Sequence, residues 1–236
     1  MRTLSLRRFL ILCVCSTAWS TLYADAPDDD HLVPVRAFFQ ETKGIGGAYR
    51  KLWQEKLLVT SGDVARYVSL PAYVDPERVV SVYKARGKKS LGLRYWVTVT
   101  EPSRALWECV ASGDEKLTGR IPIDPASVSV QRCDAPLPES TAMTIRKLWL
   151  KMLRDVRGQS SDAMSLDGST EIFSATSDGT ALQGQIPIEP KEHTAALLDL
   201  ANQLADYCHA ESAKRPEQSR KIEAESLMLL NQISNR

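Results

Sequence analysis

Between residues 64 and 101 the chain carries three runs, "VARYVSLP", "RVVSVYKA" and "LRYWVTVTE", each rich in β-branched and aromatic residues and each bounded by Pro, Gly or charged turn residues. A side-chain period of two, repeated over short consecutive segments, is the pattern of strands joined by tight turns, so this region predicts a meandering antiparallel sheet. By the same pattern "ALWECVA" (105–111) reads as a further strand, and "KLTGRIPI" and "SVSVQRC" extend the sheet.

Helical spacing flanks the sheet. Leu52, Trp53 and Leu57 predict a short amphipathic helix before it. Ile145, Leu148, Trp149, Met152, Leu153 and Val156 recur at i, i+3, i+4, i+7, i+8 and i+11, which predicts a strong helix that Ser140 or Thr141 can cap and Gly158 can end. Further on, Asp178-Gly179 sits between two strand-like runs as a hairpin signal. A second helix from Pro190 to about Ala210 buries Leu197, Ala201 and Leu204. The expected fold is α+β: a mainly antiparallel sheet with two related β-hairpins, and helices packed on one face.

The two hairpins come from a repeated phrase. "GRIPIDP" at Gly119 returns as "GQIPIEP" at Gly184, and the match runs without a gap from Ser112 to Pro125 and from Ser177 to Pro190. Proline inside the phrase ends a strand, because it cannot donate to the ladder. Asp124 and Glu189, each just before a proline, are placed to meet free N–H groups where a helix begins. No Gly-rich phosphate cradle accompanies either copy, so the phrase reads as scaffolding.

The N-terminus has a different character. Arg2, Arg7 and Arg8 precede the apolar "FLILCVC" and then the small and polar residues up to "LYADA", which is the layout of an export signal cut after Ala24 or Ala26. The chain divides into a signal (1–24), an acidic leader with a short helix (25–60), the α+β core (61–210) and a charged C-terminal helix (211–236). Losing residues 1–24 removes three arginines and no acid, moving the net charge from +1 to −2. That is far from the cationic field of a general nucleic-acid binder. The expected location is the periplasm or the extracellular space.

Three cysteines remain after processing, in a compartment where a disulfide persists. Cys208 falls in step with Leu197, Ala201 and Leu204 and reads as a buried small hydrophobe, leaving Cys109 with Cys133 as the expected bridge. Alternation sets Cys133 with Ser129 and Gln131 but Cys109 with Trp107 and Ala111, so opposite sheet faces would forbid the bond.

No G-x-S-x-G, H-E-x-x-H, Walker loop or paired C-x-x-C occurs, and no cofactor or metal is implied. His31 lies in the acidic leader and is expected to be mobile, while His193 and His209 sit at the two ends of one helix. Glu108, between Trp107 and Cys109 in the expected strand, is the acid to inspect first. Trp96, Trp107, Trp149 and Tyr95 read as core aromatics rather than as one stacking stripe.

The marked surface feature is the polar side of the strong helix, where Arg146, Lys147, Lys151 and Arg154 stand against one acid, Asp155. That asymmetry points to an acidic protein or envelope partner; opposing it, Asp199 and Asp206 of the next helix would neutralise the face. In the tail, Ile222, Leu229, Leu230 and Ile233 form one stripe with Leu227 and Met228 off it, which suits packing on the core or binding a partner. The functional expectation is an exported, non-enzymatic protein that binds a macromolecule, such as an inhibitor or protective partner. The alternative is an exported hydrolase using carboxylates scattered in sequence. A deep pocket with convergent carboxylates would mark the hydrolase, and a surface patch the binder.

Overall fold

The computed structural model describes residues 30–36, 40–58, 63–71, 75–86, 93–112, 123–158 and 169–235. In chain order the elements are α1 (Gly44–Leu57), β1 (Asp63–Leu70), β2 (Arg78–Arg86), β3 (Leu93–Pro102), α2 (Leu106–Ser112), β4 (Val130–Leu137), α3 (Glu139–Arg154), β5 (Thr170–Ser177), β6 (Thr180–Gln185), α4 (Glu192–His209) and α5 (Arg215–Ser234). The strands form one antiparallel six-stranded sheet in the order β4-β3-β2-β1-β5-β6. The expected α+β arrangement is therefore present. The stretch "ALWECVA" is a correction: it forms the short helix α2, because Leu106 and Cys109, three residues apart, are both buried on one helical side.

Alternation along the strands sends the side chains to two cores. Tyr67, Val80, Val82, Val97, Val99 and Phe173 face the three long helices, where Trp149 meets Phe173 edge-on with centroids 4.9 Å apart. Their neighbours Val68, Val79 and Ile172 face the other way, onto Tyr49, Trp53 and Leu57 of α1 and Leu106 of α2. The three long helices thus stack on one face, and α1 with α2 covers part of the opposite one.

α5 lies against α3 and α4 and buries Ile222 and Leu229, while Leu227 and Met228 stay 44% and 58% exposed. The tail therefore packs on the core. Ser140 and Thr141 do not cap α3. Their hydroxyls donate to the Glu223 carboxylate of α5 at 2.9 and 2.8 Å, and α3 begins after Pro138 with no side-chain cap.

The second copy of the repeated phrase is scaffolding. Asp178 and Gly179 take positive φ, 51° and 78°, as the tight turn between β5 and β6 requires. A Cβ on Gly184 would sit 2.7 Å from Val156 Cγ2 and 3.1 Å from Leu32 Cβ, so only glycine allows that close approach. Of the first copy, residues 113–122 lie outside the described residues. Its end is visible: Asp124 accepts the Ala126 N–H at 2.8 Å and starts a single 3-10 turn, Pro125–Ser127.

Glu189 does not play the same part. The N–H groups at the start of α4 go to Asp30, whose carboxylate accepts from His193 N at 2.8 and 3.0 Å and from Thr194 N at 3.0 Å. His193 Nδ1 lies 2.9 Å from the same carboxylate, with both side chains 5% exposed. From Asp30 the chain lies along the outer edge of β6, where Val33 and Gln185 exchange hydrogen bonds of 2.9 and 2.8 Å and Leu32 is fully buried. His31 is 9% exposed, so the expectation of mobility fails there. Asp30→Ala removes the acceptor for these donors and is expected to destabilise the fold by about 1–2 kcal/mol, measured as a lower urea midpoint. Glu189→Ala, a change at an exposed residue, serves as the neutral comparison.

Candidate partner-binding surface

α3 is positioned from beneath by Ile145, Leu148, Trp149, Met152 and Leu153, all buried in the three-helix core. That leaves the polar residues on its outer side, but the four basic ones are not equivalent. Arg146 Nη2 donates to the Thr176 carbonyl at 3.3 Å, and Arg154 Nη2 donates to Ser177 Oγ at 3.1 Å. Both guanidinium groups are therefore tethered to the end of β5. Lys147 and Lys151 are exposed, and among the described residues neither takes part in an ion pair. Asp155, the one acid of this stretch, pairs with Arg157 at 3.5 Å. Asp199 and Asp206 make no ion pair with these bases among the described residues.

The disulfide expectation is corrected. Cys133 is bonded to Cys208, with Cα atoms 6.0 Å apart, and Cys109 is buried and outside the disulfide. The reason lies in the placement of α2. As a helical residue Cys109 belongs to the core under α1, while Cys133 on β4 faces the helix that carries Cys208. Burial holds the Cys109 thiol above its ordinary pKa. Cys208 is buried with Leu197, Ala201 and Leu204 as its helical phase requires, but it is not free.

Glu108 falls in the first turn of α2, half-buried, rather than on a sheet. The acid that sequence reasoning missed is Glu77, 1% exposed at the start of β2. Its carboxylate accepts from Tyr49 Oη at 2.7 Å, from Leu106 N at 2.7 Å and from Trp107 N at 3.1 Å. One carboxylate therefore ties α1, β2 and the start of α2 together. Burial, and then the nearby Glu77 charge, push the Tyr49 phenol far above its ordinary pKa. The only sequence signal was an acid beside a strand start, which does not reveal partners 28 to 30 residues away. This cluster has the character of a structural tie, since all its polar atoms face one another.

Two clefts carry other polar groups. One of about 510 Å³ lies between the end of β4 and the start of α5 and contains a single carboxylate, Glu139. The other, about 560 Å³ beside α1, contains Glu55 as its single carboxylate. His209 is exposed at the end of α4. Among the described residues no group of three or more His, Cys, Asp or Glu side chains is placed to hold a metal ion. Protein-family models, curated proteins and solved structures give no match to this chain. A functional reading therefore rests on its surface chemistry.

Proposed function

We propose that the protein is an exported, non-enzymatic binder of an acidic macromolecular partner, engaged through the outer side of α3. The observation that carries the reading is the pair Lys147 and Lys151, exposed one turn apart and unpaired among the described residues. They stand on a helix fixed by the buried Trp149 and by the tethered Arg146 and Arg154. A rigid helix presenting two ammonium groups about 6 Å apart along its axis costs little ordering on contact with a carboxylate-rich surface. Export is supported by the Cys133–Cys208 bridge, since an oxidising compartment preserves such bonds. No helix among the described residues is long and apolar enough to cross a membrane, and residues 1–24 lie outside them.

The double reversal Lys147→Glu with Lys151→Glu tests this. Charge complementarity acts mainly on encounter and partner choice, and salt screens it. Wild-type protein is expected to retain a partner from envelope extract at low salt and less of it at moderate salt, and the reversed protein to lose it at both. Stability should move by no more than about 0.5 kcal/mol. Equal retention by the two proteins, or none by either, would overturn the reading.

A further inference from the structure

The cleft between the end of β4 and the start of α5, about 510 Å³ in volume, has the size of a site for a small organic molecule. Its buried lining is mostly apolar: Tyr95, Leu137 and Tyr207, with Ser219 as the one polar member. The polar atoms of these residues are occupied within the protein. Tyr95 Oη donates to Met143 Sδ at 3.3 Å, Tyr207 Oη to the Pro136 carbonyl at 2.5 Å and Ser219 Oγ to the Pro216 carbonyl at 3.2 Å. Both rings are therefore fixed, and what they add to the cleft is hydrocarbon.

Two guanidinium groups and one carboxylate complete the lining. Arg215, half-buried at the start of α5, donates from Nε to the Ala210 carbonyl and from Nη2 to the Cys208 carbonyl, both at 3.1 Å. Those bonds hold the group at the end of α4 and leave its other N–H donors for a ligand. Arg94, on β3, is exposed. Among the described residues neither arginine takes part in an ion pair. A third cation, Lys84, stands 5.1 Å from the centre of the Tyr95 ring. Against them the lining sets one exposed acid, Glu139. Of the neighbouring acids, Glu211 pairs with Lys214 at 3.3 Å, Glu223 accepts from Ser140 and Thr141, and Glu217 is not part of the lining.

We propose that this cleft binds an organic carboxylate with an apolar body, the carboxylate drawn by Arg94 and Arg215 and the body packed against Tyr95, Leu137 and Tyr207. A planar guanidinium takes a carboxylate through two parallel N–H bonds, and one already fixed by the protein loses little freedom in doing so. Buried aromatic rings take the hydrocarbon. Glu139 sets the charge of the ligand, because a second negative charge would meet its carboxylate. Phosphate, a compact dianion without an apolar part, fits neither half of the site. A free organic acid and the C-terminus of a polypeptide share the chemistry that does fit. The cleft is built from other residues than the α3 surface and does not rest on the reading of Lys147 and Lys151.

The test is an NMR titration of the intact mature protein that follows the backbone amides of Tyr95, Ser212 and Ser219. The probes are hydrocinnamate, its neutral amide, acetate, inorganic phosphate, and the peptide N-acetyl-Ala-Ala-Phe with a free or an amidated C-terminus. Hydrocinnamate or the free-acid peptide is expected to give saturable shifts, at least about tenfold tighter than the amides, acetate or phosphate. Saturation by hydrocinnamate alone assigns the site to small acids, and saturation by the peptide assigns it to polypeptide C-termini. Arg94→Glu should weaken that binding by about tenfold, Arg215→Gln should weaken it as well, and Glu139→Gln should leave it equal or tighter. The Lys147→Glu, Lys151→Glu protein should bind as wild type does, which separates the cleft from the α3 surface. Near-UV circular dichroism establishes that each variant is folded. Arg215 also holds the end of α4, so if Arg215→Gln is unfolded, exposed Arg94 decides the matter. The proposal fails if neither acid saturates the site, if phosphate does so in their place, or if an amide binds within about twofold of its acid. It also fails if folded Arg94→Glu binds within about twofold of wild type.

Discussion

Breaking the Cys133–Cys208 bridge is expected to lower the stability of the protein by about 4 kcal/mol. The bond spans a sequence separation of 75 residues, and constraining a loop of that size in the unfolded chain accounts for the figure. It also joins the edge strand β4 to the last turns of α4, so its loss frees two elements at once. Denaturant titrations with and without a reducing agent, and of Cys133→Ser with Cys208→Ser, measure the effect. Cys109→Ala should leave the response to reductant unchanged, because that thiol forms no disulfide. Peptide mapping of unreduced protein lacking residues 1–24 should find Cys133 linked to Cys208 and alkylation at Cys109 only after unfolding. A Cys109–Cys133 peptide, or a midpoint indifferent to reductant, would contradict the structure.

Glu77→Ala is expected to have the second large effect, a loss of at least about 3 kcal/mol. The substitution leaves the Tyr49 hydroxyl and the Leu106 and Trp107 N–H groups without their acceptor, and each buried orphan costs about 1–3 kcal/mol. Equilibrium unfolding gives the magnitude. A comparison with Tyr49→Phe apportions it: with the carboxylate in place the two N–H groups stay paired, so Tyr49→Phe should cost only about 1 kcal/mol. If Glu77→Ala were as mild as Tyr49→Phe, the carboxylate would not be what holds α2 against the sheet.

These two features mark where sequence patterns stop being informative. The core helix α3 was legible because Ile145, Leu148, Trp149, Met152 and Leu153 keep one phase, and all five are buried. The β5–β6 turn was legible because Asp178-Gly179 tolerates positive φ locally. α2 was not: a seven-residue segment with Trp107 and Val110 in it, following three strands, fits a strand pattern as well as a helical one. What decides between them is the Glu77 carboxylate arriving from another element. The wrong cysteine pair followed from reading the buried helical phase of Cys208 as that of an unbonded small residue, whereas Cys208 is both buried and bonded to Cys133. In the same way Asp30 rather than Glu189 serves the start of α4, because the leader folds back along β6 and arrives closer than the adjacent acid. On α3, the composition of the basic side was legible, but which bases are tethered was set by the position of β5.

The strand order has a kinetic consequence. β1 to β4 form a meander of nearest neighbours, and β5 with β6 forms its own hairpin, so both units can assemble from contacts close in sequence. The seam between them is the β1–β5 ladder, where Tyr67 faces Phe173 and the ladder runs on to Leu70 and Thr170. Closing it requires the chain to cross from one edge of the sheet to the other through α3 and the segment after it. Contacts so far apart in sequence repay their loop-closure entropy late. Folding should therefore be limited by docking of the hairpin on the meander. Until then β1 has an open edge, and the leader from Asp30 to Arg36 has no β6 on which to settle. The native protein covers β1 on both sides, so the exposure belongs to the folding chain alone.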